Sequence, residues 1–326
     1  MAAAESTILL TGGTGSFGSA FVNLMLAEHP EVTIRIFSRD ELKQYEMAER
    51  LGERSQLRYF LGDVRDPARL SRAMEGADIV VHAAAMKHVP LCEYNPFEAI
   101  QTNVVGTQNV VNAAIDTGVR RVVGLSSDKA VNPVNLYGAT KLCAEKILVQ
   151  GNAYVGRRAT RFSCVRYGNV AGSRGSVIPL FKRQAALGHL TLTDLRMTRF
   201  WITLHQAVDL VLFALEKATG GEILVPKIPS TRLVELADAI GPDIPRDIVG
   251  IRPGEKLHEL LLTSDESRHA IDVGRHFIIT PEHPWWSTET AWPDGKPLED
   301  GFVYSSETNE QWLDVDQIRM LVDGEL

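Results

Sequence analysis

The 326-residue chain is short of cysteine, of basic surplus and of long apolar runs. Each shortage excludes something. Cys92, Cys143 and Cys164 are its three cysteines, none at Cys-x-x-Cys spacing, and three cannot pair completely. A disulfide scaffold is therefore excluded, and reduced thiols in a cytoplasmic protein are expected. His88, His258 and His283 have no histidine, aspartate or cysteine partners at metal-ligand spacing, so no metal is expected. Lysine and arginine number 34 against 41 acidic residues, a net charge of −7. With no basic cluster, nucleic acid and anionic membranes are poor partners, although a local basic pocket for a phosphorylated small molecule stays open. No apolar run approaches the ~18 residues of a membrane helix. The short apolar run near the N-terminus has no basic residue before it and ends in glycines, so it reads as a strand entering a turn, not as a signal peptide.

What is present is an ordinary globular composition, 44% apolar and 23% charged, arranged as strands and helices in strict alternation. Strands are expected at Ile8–Thr11, Thr33–Phe37, Leu57–Leu61, Asp78–Ala83, Arg121–Leu125 and Phe162–Arg166. Between them, helices are expected at Ala20–Ala27, Glu41–Arg50, Pro67–Met74, Pro96–Thr117 (one long helix) and Leu136–Gln150. Continuous apolar strands alternating with helices predict an α/β fold: a doubly wound parallel Rossmann sheet covered on both faces. After residue 167 proline and glycine become frequent. We expect residues 1–167 to form the dinucleotide-binding domain, with segments near 200–225 returning to it. Residues 168–326 would mainly form a smaller C-terminal substrate-binding region. Helices are expected there at Thr231–Ile240 and Lys256–Leu261, and a tail packed by Trp285, Trp286, Trp292 and Trp312.

The turn after the first strand reads TGGTGSFG. Gly12, Gly15 and Gly18 suit a tight turn, close approach to a pyrophosphate and close helix packing, and the following helix start offers free N–H groups. Gly12, Thr14, Gly15, Ser16, Phe17 and Gly18 are thus the expected phosphate contacts. An acidic residue at the end of the second strand would bind the ribose of NAD. Here Ser38 and Arg39 stand there with Lys43 one turn on, a set that suits the 2′-phosphate of NADP. The alternative makes Arg39 and Lys43 solvated charges, with Asp40 serving NAD. Asp63 and Val64 close the third strand, where a carboxylate can reach an adenine amino group or cap the next turn. Ala83 and its neighbours are small enough for a cofactor to lie against the backbone.

Tyr137 and Lys141 occupy one face of a helix at i, i+4. An ammonium beside a phenol would lower its pKa and let the phenolate take a proton from a hydroxyl. Ser126 and Ser127 supply hydroxyls at the same sheet edge, followed by Asp128 and Lys129.

In this order TGGTGSFG, GDVRD, NVVGT and YGATK resemble the extended short-chain dehydrogenase/reductases, which mostly act on nucleotide sugars. The segment SSDKAVNPVNLYGATK, with SRDELKQ, AAMKHVP, RYGNVAGSRGSVIP, DLRMTRFWITL, VPKIPS and IRPGEKLHE, resembles the inverting UDP-N-acetylglucosamine 4,6-dehydratases that begin pseudaminic acid synthesis. The likeness runs from Thr7 to about Gln311. It implies a UDP-sugar substrate, a retained NADP and a homo-oligomer. Oxidising C4 acidifies H5, so an amine base and an acid can then remove water across C5 and C6. On this reading Tyr137, helped by Lys141, is base for O4. Lys129 is base for C5 and must be partly neutral, which burial and Lys141 would favour. Asp128 is acid for O6 and must be protonated. Lys87, Asn169, Ser176, Val177, Thr198 and Arg252 are the implied substrate contacts, while Asn103 is expected to hold its helix.

Overall fold

A computed structural model describes residues 6–173, 175–282, 286 and 291–324. His283 and Trp285 lie outside the described residues.

The first half builds the expected alternation. Strand β1 (Thr7–Thr11) leads into α1 (Ser16–Glu28), β2 (Thr33–Ser38) into α2 (Glu41–Leu51), and β3 (Leu57–Leu61) into α3 (Pro67–Met74). Asp40 and Asp66 start α2 and α3 by accepting from the N–H of Lys43 and Arg69, which satisfies donors the helix itself leaves open. Strand β4 (Ile79–His82) is followed by two short helices, α4 (Val89–Tyr94) and α5 (Pro96–Ile100). The predicted single helix from Pro96 to Thr117 is not uniform. It runs as α5, a π-turn over Gln101–Val105, and α6 (Gly106–Thr117), ended by Gly118 in the left-handed conformation. Strand β5 (Arg121–Leu125), helix α7 (Leu136–Tyr154) and β6 (Arg161–Val165) complete this half.

These strands lie parallel in the order β3-β2-β1-β4-β5-β6. All six bury apolar side chains, among them Leu9, Leu10, Ile36, Val80, Val81, Val122 and Phe162. The order reverses between β1 and β4, and a crevice at the carboxyl ends of such strands is where this fold binds ligands.

The chain then leaves the sheet and returns to it. It passes through β7 (Asn169–Val170), α8 (Val177–Ala186), β8 (Leu190–Leu192), β9 (Thr198–Ile202) and α9 (Leu204–Lys217) to β10 (Ile223–Pro226). Helix α9 packs on α1, and β10 pairs parallel with β6. The predicted return of residues 200–225 is thus split. Strand β9 joins a separate small sheet with β7 and with β11 (Ser230–Arg232). Trp201 on β9 is buried, and its indole N–H donates to Thr231 Oγ1 at 2.8 Å, which holds that strand in the second core.

Beyond α10 (Leu233–Ile240) come β12 (Arg246–Ile248), paired with β8, and β13 (Leu260–Leu262). The helix expected over Lys256–Leu261 is absent: Leu260 and Leu262 pair instead with Ser305 and Tyr304 of a distant segment. Strands β14 (Ala270–Asp272), β15 (His276–Ile279) and β16 (Lys296–Pro297) extend the main sheet beyond β10 with antiparallel pairing. Among the described residues the sheet therefore has ten strands, and it draws on chain well past residue 167. Trp292 packs under it, while Trp312 donates to Asn309 O. A second core forms where α8, α10 and the last helix, Val315–Asp323, meet through Phe181, Leu236, Ile318 and Leu321. Among the described residues no helix is long and apolar enough to cross a membrane.

Candidate active site

The crevice begins at the glycine turn. Gly12 has φ +68°, a left-handed backbone that penalises a side chain. A Cβ there would also stand 2.8 Å from Ala84 N and 2.9 Å from the Ala83 carbonyl. Ala83 and the turn are thus in backbone contact, as a cofactor lying across both strands requires. Gly15 is the N-cap of α1 and brings no side chain to cover the first N–H groups. A Cβ at Gly18 would collide with Gly13. Thr14 completes the turn, and Ser16 and Phe17 open α1. This cradle fits a dinucleotide pyrophosphate.

At the end of β2, Ser38 Oγ accepts from Gln44 Nε2 at 3.1 Å. Arg39 is exposed, with Nη1 3.7 Å from Asp63 Oδ2. Lys43 is paired with Asp40 at 2.6 Å. Asp63 is also held by Arg65, whose Nη2 and Nε donate at 2.7 and 3.0 Å. Burial pushes the Asp63 carboxyl up, but the hydrogen bonds and charge of Arg65, with Arg39, bring it below its ordinary range. Asp63 is a firm anion closing its turn, and Val64 packs against Gly106.

Below the turn lies His82, which sequence reading passed over. Thr107 Oγ1 donates to Asn103 O at 2.6 Å, so it must accept from His82 Nε2, 3.1 Å away. His82 Nδ1 is then the acceptor for Thr11 Oγ1 at 2.7 Å, and Thr11 Oγ1 accepts from Ala84 N at 3.3 Å. Every donor in the chain has one acceptor, which sets a neutral imidazole. Burial and then the charge of Lys141 push its pKa down to about 3.

The candidate catalytic edge is the segment after β5. Its backbone is fixed by Ser126 N donating to Val165 O and Asp128 N to Tyr167 O. Ser127 caps a single 3-10 turn, Asp128–Ala130. Gly138 in YGATK lets α7 approach that turn, since a Cβ there would collide with the Lys129 carbonyl. Asn135 caps α7 by accepting from Gly138 N at 2.7 Å and donates to Gly254 O, tying the IRPGEK segment to the helix start.

Asp128 is fully buried. Its Oδ1 accepts from Ser127 Oγ at 2.7 Å and from Lys129 Nζ at 3.0 Å. Oδ2 has no hydrogen-bond partner among the described residues. Burial pushes the carboxyl up; Lys129 opposes this and Glu259 adds to it, and the net shift is upward. That is the direction an acid needs. Lys129 departs from expectation. Burial alone would pull its ammonium down, but Asp128 and Glu259 hold it above its ordinary value, and the opposing cation is Arg199, not Lys141. The expected partly neutral lysine is an ammonium in this state.

Tyr137 is buried at the start of α7, and burial pushes its phenol up to about 12. Opposing this are the charge of Lys129 and a hydrogen bond with Ser127. Lys141, expected to lower this phenol, instead donates its Nζ proton to Leu125 O. Burial lowers the Lys141 ammonium itself. The i, i+4 spacing holds, yet the cation acting on Tyr137 belongs to the preceding turn.

Of the predicted substrate contacts, Asn169 is drawn into the cluster: its Oδ1 accepts from Lys129 Nζ at 3.4 Å. Lys87 is exposed beyond β4. Ser176 stands at the start of α8 without a capping hydrogen bond, Val177 begins the helix, and the nearby Gly175 would touch the His88 imidazole with any Cβ. Arg252 is 60% exposed and rests 3.3 Å from Glu255. Thr198 is turned inward, 3% exposed, bonded to His258 Nδ1 at 2.9 Å and Ser306 Oγ at 2.7 Å. It is taken up in these interior contacts, on a strand whose five residues are all buried. Among the described residues no group of histidine, cysteine, aspartate or glutamate could hold a metal ion.

Sequence reading also missed Glu259, Arg199 and Lys256 as a unit. Glu259 is 3% exposed, with Lys129, Arg199 and Lys256 at 3.6, 3.7 and 3.7 Å. Burial pushes its carboxyl up, and these three cations bring it below its ordinary value. Glu259 ends the IRPGEKLHE motif, the signal that pointed to it.

The geometry defines a dinucleotide-binding fold with a tyrosine, a lysine and an acid–ammonium pair at one sheet edge. The sequence profile of the family described as "Polysaccharide biosynthesis protein" matches residues 8–281. The chain belongs to that family, among the extended short-chain dehydrogenase/reductases and with the inverting 4,6-dehydratases. It is 50% identical to "UDP-N-acetylglucosamine 4,6-dehydratase (inverting)" of Campylobacter jejuni strain 81-176, over 94% of this chain and 93% of that one. It is also 43% identical to a "UDP-glucose 4-epimerase" of Rickettsia akari, over 84% and 83%. Among solved structures, Pen from Bacillus thuringiensis superposes with a TM-score of 0.90 at 40% identity over 100% of both chains. DesIV, a dTDP-glucose 4,6-dehydratase from Streptomyces venezuelae solved with NAD, gives 0.67 at 25% identity, over 77% of this chain and 86% of that one.

Proposed function

We propose that the protein removes water from UDP-N-acetylglucosamine with inversion at C5. The product is UDP-2-acetamido-2,6-dideoxy-β-L-arabino-hexos-4-ulose, made on a retained NADP as the first step of a pseudaminic acid-type synthesis. The observation that carries this reading is buried Asp128 paired with half-buried Lys129 beside Tyr137, at the carboxyl edge of β5.

When bound, the nicotinamide supplies a hydride acceptor for C4 and the hydride later returned to C6. The protein's own groups handle the protons. Tyr137 takes the O4 proton, with Lys141 behind it and with Ser127 and Lys129 favouring the phenolate. The next step needs an amine base and a neutral acid. One proton passing from Lys129 to Asp128 along their 3.0 Å hydrogen bond creates both at once. Burial of Asp128 lowers the cost of that transfer. Lys129 then takes H5 and Asp128 protonates the departing O6, which restores the ammonium and the carboxylate. C5 then takes a proton from solvent on the opposite face, and Tyr137 returns the O4 proton to solvent, so the cycle closes. Arg39 and Lys43 favour NADP over NAD, and Asn169, Lys87, Ser176, Val177 and Arg252 are proposed to line the UDP-sugar path.

The Rickettsia relatives favour a second reading, 4-epimerisation, in which no water is lost. Incubation of purified protein with UDP-N-acetylglucosamine in deuterated water, followed by mass and NMR analysis, separates the two. The dehydratase gives a 4-keto product carrying deuterium at an inverted C5, whereas an epimerase gives no 4-keto product. Lys129→Ala is expected to fold, bind cofactor and lose dehydration by orders of magnitude. Near-normal turnover by that variant would overturn the role given to Lys129.

A further inference from the structure

Glu259 stands apart from the other buried carboxylates of this chain. Glu145 meets Arg166 in two direct hydrogen bonds, at 2.9 and 2.8 Å, and has the geometry of a structural ion pair. Glu259 has three cations around it, all beyond 3.5 Å, and its Oε2 has no hydrogen-bond partner among the described residues. Its position is set by its backbone, which exchanges hydrogen bonds with Ser306: Glu259 N donates to Ser306 Oγ and Ser306 N to Glu259 O. Two of its cations are spent on backbone carbonyls. Arg199 donates to Thr198 O, Leu257 O and Lys256 O, and Lys256 donates to Val131 O and Asp128 O. The third, Lys129, sits on a flexible four-carbon stem with three N–H donors. Its nitrogen faces three acceptor oxygens, Asp128 Oδ1 at 3.0 Å, Asn169 Oδ1 at 3.4 Å and Glu259 Oε1 at 3.6 Å.

We infer that Glu259 is a positioning residue for the C5 step of the proposed dehydration, holding Lys129 in place and stabilising the ammonium it becomes on taking H5. The inference rests on the dehydratase reading. In that step the C5–H bond breaks and the proton passes to Lys129 Nζ. The electron pair closes C5=C6 as the C6–O6 bond breaks, and O6 leaves as water with the proton of Asp128. Lys129 is an ammonium during oxidation at C4, whose proton goes to Tyr137, and its charge changes only in this second half, as it gives a proton to Asp128 and takes H5. A fixed anion near Nζ therefore acts mainly on the second half of the cycle.

The test separates the halves. Purified enzyme with bound cofactor is mixed with UDP-N-acetylglucosamine while the near-ultraviolet absorbance of reduced nicotinamide is followed, and the product is quantified by NMR. In Glu259→Gln, reduction is expected to stay within about twofold of wild type, while product formation falls about 10- to 100-fold, the size of one charge-assisted contact. Reduced cofactor then accumulates, with KM little changed. Glu259→Asp, which keeps the charge on a shorter arm, is expected to recover part of the loss. If Glu259→Gln folds poorly, Glu259→Gln with Lys256→Gln removes one charge of each sign and must show the same split. Equal slowing of both halves, or of neither, overturns the inference. An inactive wild type would instead sink the dehydratase reading and this inference with it.

Discussion

At the scale of single residues, the least expected finding is His82, a neutral imidazole held between Thr11 and Thr107 beneath the cofactor turn. Its folded pKa of about 3 lies below the ordinary 6.5. The unfolded chain therefore binds a proton that the folded chain refuses, so stability is fully present above about pH 6.5 and is lost as pH falls towards 3. At about 1.4 kcal/mol per pKa unit the loss amounts to several kcal/mol. His82→Gln, which cannot titrate, is expected to flatten the dependence of unfolding free energy on pH between 6.5 and 4. An unchanged slope would mean another group dominates it. Residue types and short spacings were readable in advance: the glycines, Asp128 beside Lys129, and Tyr137 four residues before Lys141. Protonation states were not. Against burial, Asp128 and then Glu259 hold Lys129 above its ordinary value, while burial outweighs Lys129 and Ser127 to push the Tyr137 phenol up to about 12; burial and the distant Glu259 are set only by the fold.

At the scale of elements, the π-turn Gln101–Val105 shows what spacing alone conceals. Apolar periodicity read a single helix there. The wider turn presents Asn103, whose Oδ1 accepts from Met86 N at 2.8 Å and whose Nδ2 donates to Met86 O and Thr140 Oγ1 at 2.9 and 3.0 Å. One amide thus fastens the segment carrying Lys87 to the helix carrying Tyr137. π-turns within helices occur frequently at functional sites. Asn103→Leu would strand three polar groups and is expected to cost about 2–4 kcal/mol by urea unfolding. A loss under ~0.5 kcal/mol would mean that water replaces the amide. The elements of the first half were legible because the strands are mainly apolar and helices α2, α3, α5 and α7 begin at a capping side chain or a proline. The segment Lys256–Leu261 was not. Its helical pattern yielded to pairing with Tyr304 and Ser305, and nothing local signals a partner more than forty residues on.

At the scale of the whole molecule, Arg166 joins three parts of the chain. Its guanidinium, 1% exposed, pairs with Glu145 of α7 and with Glu266 near β13, and donates to Leu261 O. Sheet, helix α7 and C-terminal segment meet at one buried cation. Arg166→Met would leave two carboxylates facing each other without their counter-ion, and removing one partner of a buried pair costs about 3–5 kcal/mol. A urea midpoint shifted by less than 1 kcal/mol equivalent would show that the carboxylates simply take up protons.

The sequence by itself determined the doubly wound sheet, the dinucleotide turn and the residues able to move protons, because periodicity, capping and glycine geometry act over a few residues. Tertiary structure alone decided how the C-terminal chain divides between the main sheet and a second core. It also decided which cation faces the tyrosine, and that Glu259, 130 positions after Lys129, stands 3.6 Å from its nitrogen. Burial and Coulomb energy depend on distance in space, and only the folded chain sets those distances.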